Sequence, residues 1–407
     1  MPNNDFMWLV LEPFVHCAVS GSNALLYNTV NKTCLVSKGS EEIADKIRQL
    51  LVPQNGYVTG IRKEELALPV FRKFMAELRK KFMGDLHDPA WSSSKPFNVV
   101  PEPVVKSKSE ALSNYLGEVT FHVNSSALPG LEKFRAGYLQ FPFPLSATAP
   151  GEALSTDRIR AVASMMNPLP FATVNFVGTG ICREPIHSQL TEIFRDTPFR
   201  TIFHIPLWDL SMPLPARMNK NEQLAIYVTF PVSPRQLELL AAATGQYPRK
   251  GGPDVNFIVQ NNDEVDQASE IISGTGLRRF FFKPYLNGEN MDFFREQVFM
   301  SEDDILASKP TQNQVFSRLT MNEHDFGKLT VFPNGEVYAN VNDEPLGNLD
   351  EFSLEELAGK ERDRKTSWMR RRTELDPCRD CLYRFLCPPV SNYEILMKKF
   401  NFCHIHS

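Results

Sequence analysis

Ala172-Thr-Val-Asn-Phe-Val177, a helical run from His187 to Arg195, and Thr201-Ile-Phe-His-Ile205 follow one another in the middle of the chain. A β-rich run, a helix and a second β-rich run at this pitch predict parallel strands joined by a crossover helix, the connection that returns a chain to the same end of a sheet. The pattern spreads in both directions. Before it come Glu118-Val-Thr-Phe-His-Val123 and a helix near Thr156 to Met166; after it come Leu224 to Phe230, Pro234 to Ala243, Val255 to Val259, Val265 to Ser273 and Arg279 to Phe282. The expected fold class is α/β, with a parallel sheet, open or barrel-like, across 111–290.

On the N-terminal side, Trp91 to Lys108 mixes serines and prolines with few apolar residues and reads as a connector, placed at 91–110. Residues 1–90 form a small β-plus-α module. Ala24-Leu-Leu-Tyr-Asn28 and Thr33-Cys-Leu-Val-Ser37 read as a hairpin, and Ser40 caps an amphipathic helix that stops before Pro53. A second helix starts at Pro69 and presents Phe71, Phe74, Leu78 and Phe82 at helical spacing, with Gly84 just past its end. On the C-terminal side the alternation stops near Asn290. Lys328-Leu-Thr-Val-Phe-Pro-Asn-Gly-Glu-Val-Tyr338 reads as a hairpin turning at Asn334-Gly335, and a charged stretch from Glu351 to Glu374 leads to the last thirty residues.

Those thirty hold four of the seven cysteines, in Cys378-Arg-Asp-Cys381-Leu-Tyr-Arg-Phe-Leu-Cys387-Pro-Pro389 and at Cys403. With 44 basic and 48 acidic residues the formal charge is -4, which disfavours nucleic acid or an anionic membrane as partner. The N-terminus lacks the pattern of a secretory signal, and no apolar run reaches the ~20 residues of a membrane span, so a cytoplasmic location is expected. In a reducing compartment a dense cysteine group suits metal ligation better than disulfides. Thiolate-only ligation serves zinc or an iron-sulfur cluster, and His404 or His406 could replace one thiolate.

The β/α body, the Phe332-Pro-Asn-Gly-Glu-Val-Tyr338 hairpin and the cysteine spacing together resemble radical SAM enzymes with the C-terminal SPASM extension, which modify ribosomal peptides. The resemblance implies an N-terminal peptide-recognition (winged-helix-like) module over 1–90 and a degenerate partial (β/α) radical SAM-type barrel over 111–290. A SPASM-like domain with a cysteine cluster would fill 291–407. In that family a C-x3-C-x2-C loop follows the first barrel strand and binds the cluster that cleaves S-adenosylmethionine. The matching stretch here, Asn124 to Tyr138, has no cysteine. The family's Gly-Gly-Glu turn after the second strand corresponds to Val177-Gly178-Thr179-Gly180, without the acid. Asn340 and Ser391 stand where cysteines of a first auxiliary cluster would be, whereas the four ligands of the second map onto Cys378, Cys381, Cys387 and Cys403. One 4Fe-4S cluster, or zinc in its place, and no S-adenosylmethionine-cleaving cluster are therefore expected.

With the phrases Lys283 to Asn290 and Cys387 to Glu394, this combination resembles the pseudo-radical SAM proteins of Bacteroidales GG-type ribosomal peptide systems. The resemblance implies a chain that is not an enzyme. It would bind the leader of a precursor peptide, or the cognate radical SAM peptide maturase, or both. Strand addition is the expected mode of peptide binding, at Thr33, Cys34, Leu35, Val36 and Ser37 together with the helix face of Phe71, Phe74 and Leu78; the same aromatic spacing also suits an ordinary core. The competing expectation is a redox enzyme or electron relay working at the remaining cluster. Asp157, Glu184, His187 and His204 have no spacing that favours an acid-base site, and no catalytic residue is named.

Overall fold

The computed structural model describes residues 5–91, 94–98, 116–124, 153–166, 172–210, 220–246 and 252–405. Most of the expected connector at 91–110, and the loop after Asn124, lie outside the described residues.

The N-terminal unit contains β1 (Phe6–Leu11), β2 (Val15–Ser20), β3 (Asn23–Asn28), β4 (Thr33–Ser37), α1 (Glu41–Leu51), β5 (Val58–Arg62), α2 (Lys63–Ala67), α3 (Pro69–Lys80) and β6 (Gly84–His87). They make two antiparallel sheets, β5-β1-β6 and β2-β3-β4. The hairpin and the Ser40 cap read from sequence are present, the Ser40 hydroxyl accepting from the Ile43 amide. Gly84 does not end α3. Phe82 takes the left-handed conformation there (φ 52°), and Gly84 lies in β6, where a Cβ would stand 2.4 Å from the Val10 carbonyl oxygen. Only glycine lets β1 and β6 approach so closely.

The body runs β7 (Glu118–His122), α4 (Thr156–Met165), β8 (Thr173–Val177), α5 (Ile186–Phe194), β9 (Arg200–Pro206), β10 (Glu222–Val228), α6 (Pro234–Gln246), β11 (Asp254–Val259), α7 (Asn262–Thr275) and β12 (Phe280–Pro284). Each strand pairs in parallel with the next. Phe121, Phe176, Phe203, Ile226 and Phe257 point from one face of this sheet into the largest core among the described residues. The other face carries the intervening residues, among them Asn175, His204 and Tyr227.

Three helices, α8 (Met291–Gln297), α9 (Glu302–Ala307) and α10 (Gln312–Thr320), lead to β13 (Lys328–Val331), β14 (Glu336–Tyr338) and β15 (Gly347–Asn348). Strand β13 pairs in parallel with β7, so the hairpin extends the body's sheet to nine strands in the order β12-β11-β10-β9-β8-β7-β13-β14-β15. Its turn is centred on Pro333-Asn334, closed by the Gly335 amide on the Phe332 carbonyl, with Gly335 left-handed (φ 85°). That is a type I turn followed by a glycine, not a two-residue Asn-Gly turn. Helices α11 (Leu354–Arg364) and α12 (Asn392–Met397) flank the cysteine run, which has little regular structure of its own.

Candidate metal centre and peptide edge

Cys378 sits in a single 3-10 turn ending at Asp380, and Cys381 caps that turn. Cys403 is brought in from the far end of the sequence by a one-residue parallel bridge to Met300, whose carbonyl accepts from the His404 amide. All four cysteines of the run are buried and line one small cavity of about 20 Å³, together with Arg372 and Arg384. Among the described residues no three His, Cys, Asp or Glu side chains converge tightly enough to grip a single ion. His404 is not one of the cavity walls; its ring bonds the Arg295 carbonyl at 3.0 Å. The suggestion that it replaces a thiolate is corrected accordingly, and His406 lies outside the described residues.

Arg372 is the polar centre of this region. Its guanidinium donates to Glu394 at 2.8 and 3.1 Å and to the carbonyls of Pro388, Pro389 and Phe400, and lies 3.6 Å from the Cys378 sulfur. Burial works against its charge, but Glu394 holds it protonated; Glu394 in turn is kept ionised by Arg372 against its own burial. Burial also raises the thiols of Cys378 and Cys381 and pushes Cys387 up to about 12, with Arg372 pulling the other way at Cys378 and Cys387. Metal binding must therefore displace protons, such as the one Cys378 gives to the Phe400 carbonyl at 2.9 Å. A thiolate-bound metal centre with net negative charge fits this donor set, because two guanidinium groups already stand at its wall.

The arginines beside the cysteines sit in different surroundings. Arg379 is exposed and pairs with Asp376, whereas Arg370 is half-buried on Asp343 and Arg384 faces the cavity.

Where the resemblance places the other auxiliary ligands, the chain has built hydrogen bonds. Asn340 donates to Asp325 at 3.0 Å and to Asn392 at 2.7 Å, and Asn322 donates to Asp325 and to the Val390 carbonyl. Burial pushes Asp325 up to about 7, against the bond from Asn340. Ser391 caps α12 and accepts from the Glu394 amide.

At the carboxyl ends of the parallel strands, where open α/β sheets bind ligands, the Gly178-Thr179-Gly180 turn is tied on both sides. Asn124 holds the Thr179 amide and carbonyl at 2.9 and 2.8 Å, and Asp209 accepts from the Gly180 amide at 2.6 Å. His204 bridges Tyr227 (2.7 Å) and Asn175 (2.9 Å) and is neutral through burial. Asp157, Glu184 and His187 stay in local contacts on α4 and at the start of α5. Burial pushes the Cys182 thiol up to about 12.

The peptide-binding expectation divides. Phe71, Phe74 and Leu78 are 1%, 4% and 0% exposed inside the N-terminal core, so that helix face meets α1 and the sheets rather than a partner. This corrects the expectation placed on them. Among the described residues strand β4 is an edge, paired only with β3. Lys81 donates to the Cys34 carbonyl, which therefore points away from β3, and by alternation so do the backbone groups of Val36. Thr33, Leu35 and Ser37 face β3, and the Leu35 side chain enters the N-terminal core.

No family model matches the chain, and no curated protein matches it. Among solved structures, SuiB of Streptococcus suis bound to S-adenosylmethionine is 13% identical, with a TM-score of 0.43 over 97% of both chains. The structure of anSMEcpe with bound AdoMet is 11% identical, with a TM-score of 0.43 over 70% of this chain and 91% of that one. At these identities and TM-scores the likeness is one of chain course alone, between mixed α/β chains. The expectation that the chain is not an enzyme is corrected: the two structures set beside it, both bound to S-adenosylmethionine, give that expectation no support. A missing cysteine loop removes one cluster and does not by itself make a chain a non-enzyme. Among the described residues no helix is long and apolar enough to cross a membrane.

Proposed function

We propose that this chain handles a ribosomally made precursor peptide. The β4 edge takes an extended segment of the leader, the four cysteines of the tail hold one 4Fe-4S cluster, and the chain works beside a cognate radical SAM peptide maturase. The observation that carries this reading is the buried cavity lined by Cys378, Cys381, Cys387 and Cys403 with Arg372 and Arg384. Four cysteines at one cavity suit a cluster, in which each binds its own iron; zinc, whose four ligands share one centre, is the alternative. All four positions would be filled by protein, which leaves no open iron for a substrate. Electron relay to a partner is the second reading, supported by the two guanidinium groups that would stabilise a reduced, more negative centre.

Peptide recognition at β4 would use the outward backbone groups of Cys34 and Val36, with Lys81 giving up its bond to the Cys34 carbonyl. Selection from a displayed library of short extended peptides tests this. Binders should lose affinity at least tenfold on Val36→Pro, which removes the outward N–H, and little on Lys38→Ala. Binders indifferent to Val36→Pro, or none from the library, would remove the β4 reading.

A further inference from the structure

The β2-β3-β4 sheet has two covered faces. Ala24, Leu26 and Leu35 enter the N-terminal core on one side. On the other, Ala18, Leu25 and Tyr27, with Cys34 and Val36 at the margin, share a single hydrophobic cluster with Leu382, Tyr383, Phe385, Leu386 and three of the four cavity cysteines, Cys381, Cys387 and Cys403. The alternation along each strand is what divides them. The peptide edge and the walls of the cysteine cavity thus border one packed layer.

Polar contacts run through the same layer. Tyr27 donates its hydroxyl to the Pro310 carbonyl at 2.7 Å, and Lys32 reaches the same carbonyl at 2.9 Å. Glu302 receives Lys38, the residue directly after β4, at 2.9 Å, and the Tyr383 hydroxyl at 2.8 Å. Tyr383 lies between Cys381 and Cys387, and Glu302 is two residues from Met300, the backbone partner of Cys403. Ser308 and Arg318 both donate to the Leu386 carbonyl, which ties α9 and α10 to the residue before Cys387.

The tail that forms this face has little regular structure to hold it. Between Asp376 and Ile405 the regular elements are one 3-10 turn and the short α12. Its backbone order must come from side-chain contacts and from whatever joins the cysteines, and a metal that cross-links four ligands contributes its binding free energy to the order of the segments bearing them. The cavity is small, so a metal centre in it bears directly on walls that are also the floor of the sheet.

We infer that filling the cysteine site stiffens β2-β3-β4, so that the β4 edge is fully formed only in the loaded protein. The inference rests on the proposed metal centre and names how that centre would regulate the peptide edge. It gives a maturation order: metal loading first, peptide capture second, with unloaded chains binding peptide weakly.

Hydrogen exchange on the full chain tests this, comparing protein purified without oxygen and loaded with iron and sulfide against the same protein after chelation. Metal content is assayed on both samples. The expected result is several-fold slower exchange across 15–37 in the loaded sample, with β8 to β11 unchanged. A second variant, Tyr383→Phe, keeps all four cysteines and removes the link to Glu302; it should bind metal normally and lose part of the protection at 33–37. Loaded and chelated protein exchanging alike across 15–37, with loading confirmed, would overturn the inference and leave the metal centre standing. Failure to take up any metal would overturn the metal centre, and the inference with it.

Discussion

Strands β7 to β11 bury Phe121, Phe176, Phe203 and Phe257 on their helix-covered face, in a core they share with the helices α4 to α7. Residues 366–405 form no such layer of their own: their apolar side chains join cores built by other elements, and their polar contacts are gathered at points, Arg372 on Glu394 and three carbonyls, and four buried thiols around one cavity. The body is stabilised by distributed apolar area, which fails gradually. The tail, with little regular structure, leans in addition on a few polar centres, each of which fails at once.

Arg372→Ala should break that comparison most sharply. It leaves Glu394 buried without its counter-charge, a loss of about 3–5 kcal/mol for a buried pair missing one partner. Urea unfolding followed at Tyr393 and Trp368 should show the tail melting before the body, and bound metal should fall with it. Phe203→Ala in the body, at 0% exposure, should cost about as much, roughly 3–5 kcal/mol. It should do so in one transition, with metal per folded chain unchanged. If Phe203→Ala stripped the metal, the two regions would not be separate.

Gly84→Ala probes the N-terminal unit between them. A methyl group 2.4 Å from the Val10 carbonyl oxygen forces β1 and β6 apart, for about 1–3 kcal/mol of strain. Metal content should again stay constant. The smallest effect concerns Asp325. Its folded-state pKa of about 7 lies above the ordinary value, so its contribution is full in acid and is lost as pH rises through about 7. Stability should fall on the order of 1 kcal/mol between about pH 6 and pH 8, and Asp325→Asn should flatten that slope. A slope of opposite sign would mean that Arg370 and Lys328 outweigh burial at this carboxyl.

The body was legible because its strands and helices alternate with clean periods and each strand pairs with the next one in sequence. What could not be read was the addition of β13 beside β7, a pairing across some two hundred residues with no local signal. In the N-terminal unit the β3-β4 hairpin and two helices were legible. Phe6–Leu11 and Gly84–His87 were missed: the first is apolar without alternation, and the second has one large apolar side chain. At the site, the cysteines announce themselves because four thiols in thirty residues have few other uses in a chain this size. Arg372 and Glu394 do not, since a basic run and a lone acid read as solvated surface until the fold buries them. The aromatics of α3 misled in the opposite direction, because the spacing of a binding face and of a core face is the same.

The most direct test is elemental: iron, acid-labile sulfide and zinc per chain in protein purified without oxygen, beside a Cys378→Ala, Cys381→Ala variant. The account predicts about four iron and four sulfide, lost in the variant. Zinc without sulfide, or no metal at all, would contradict it.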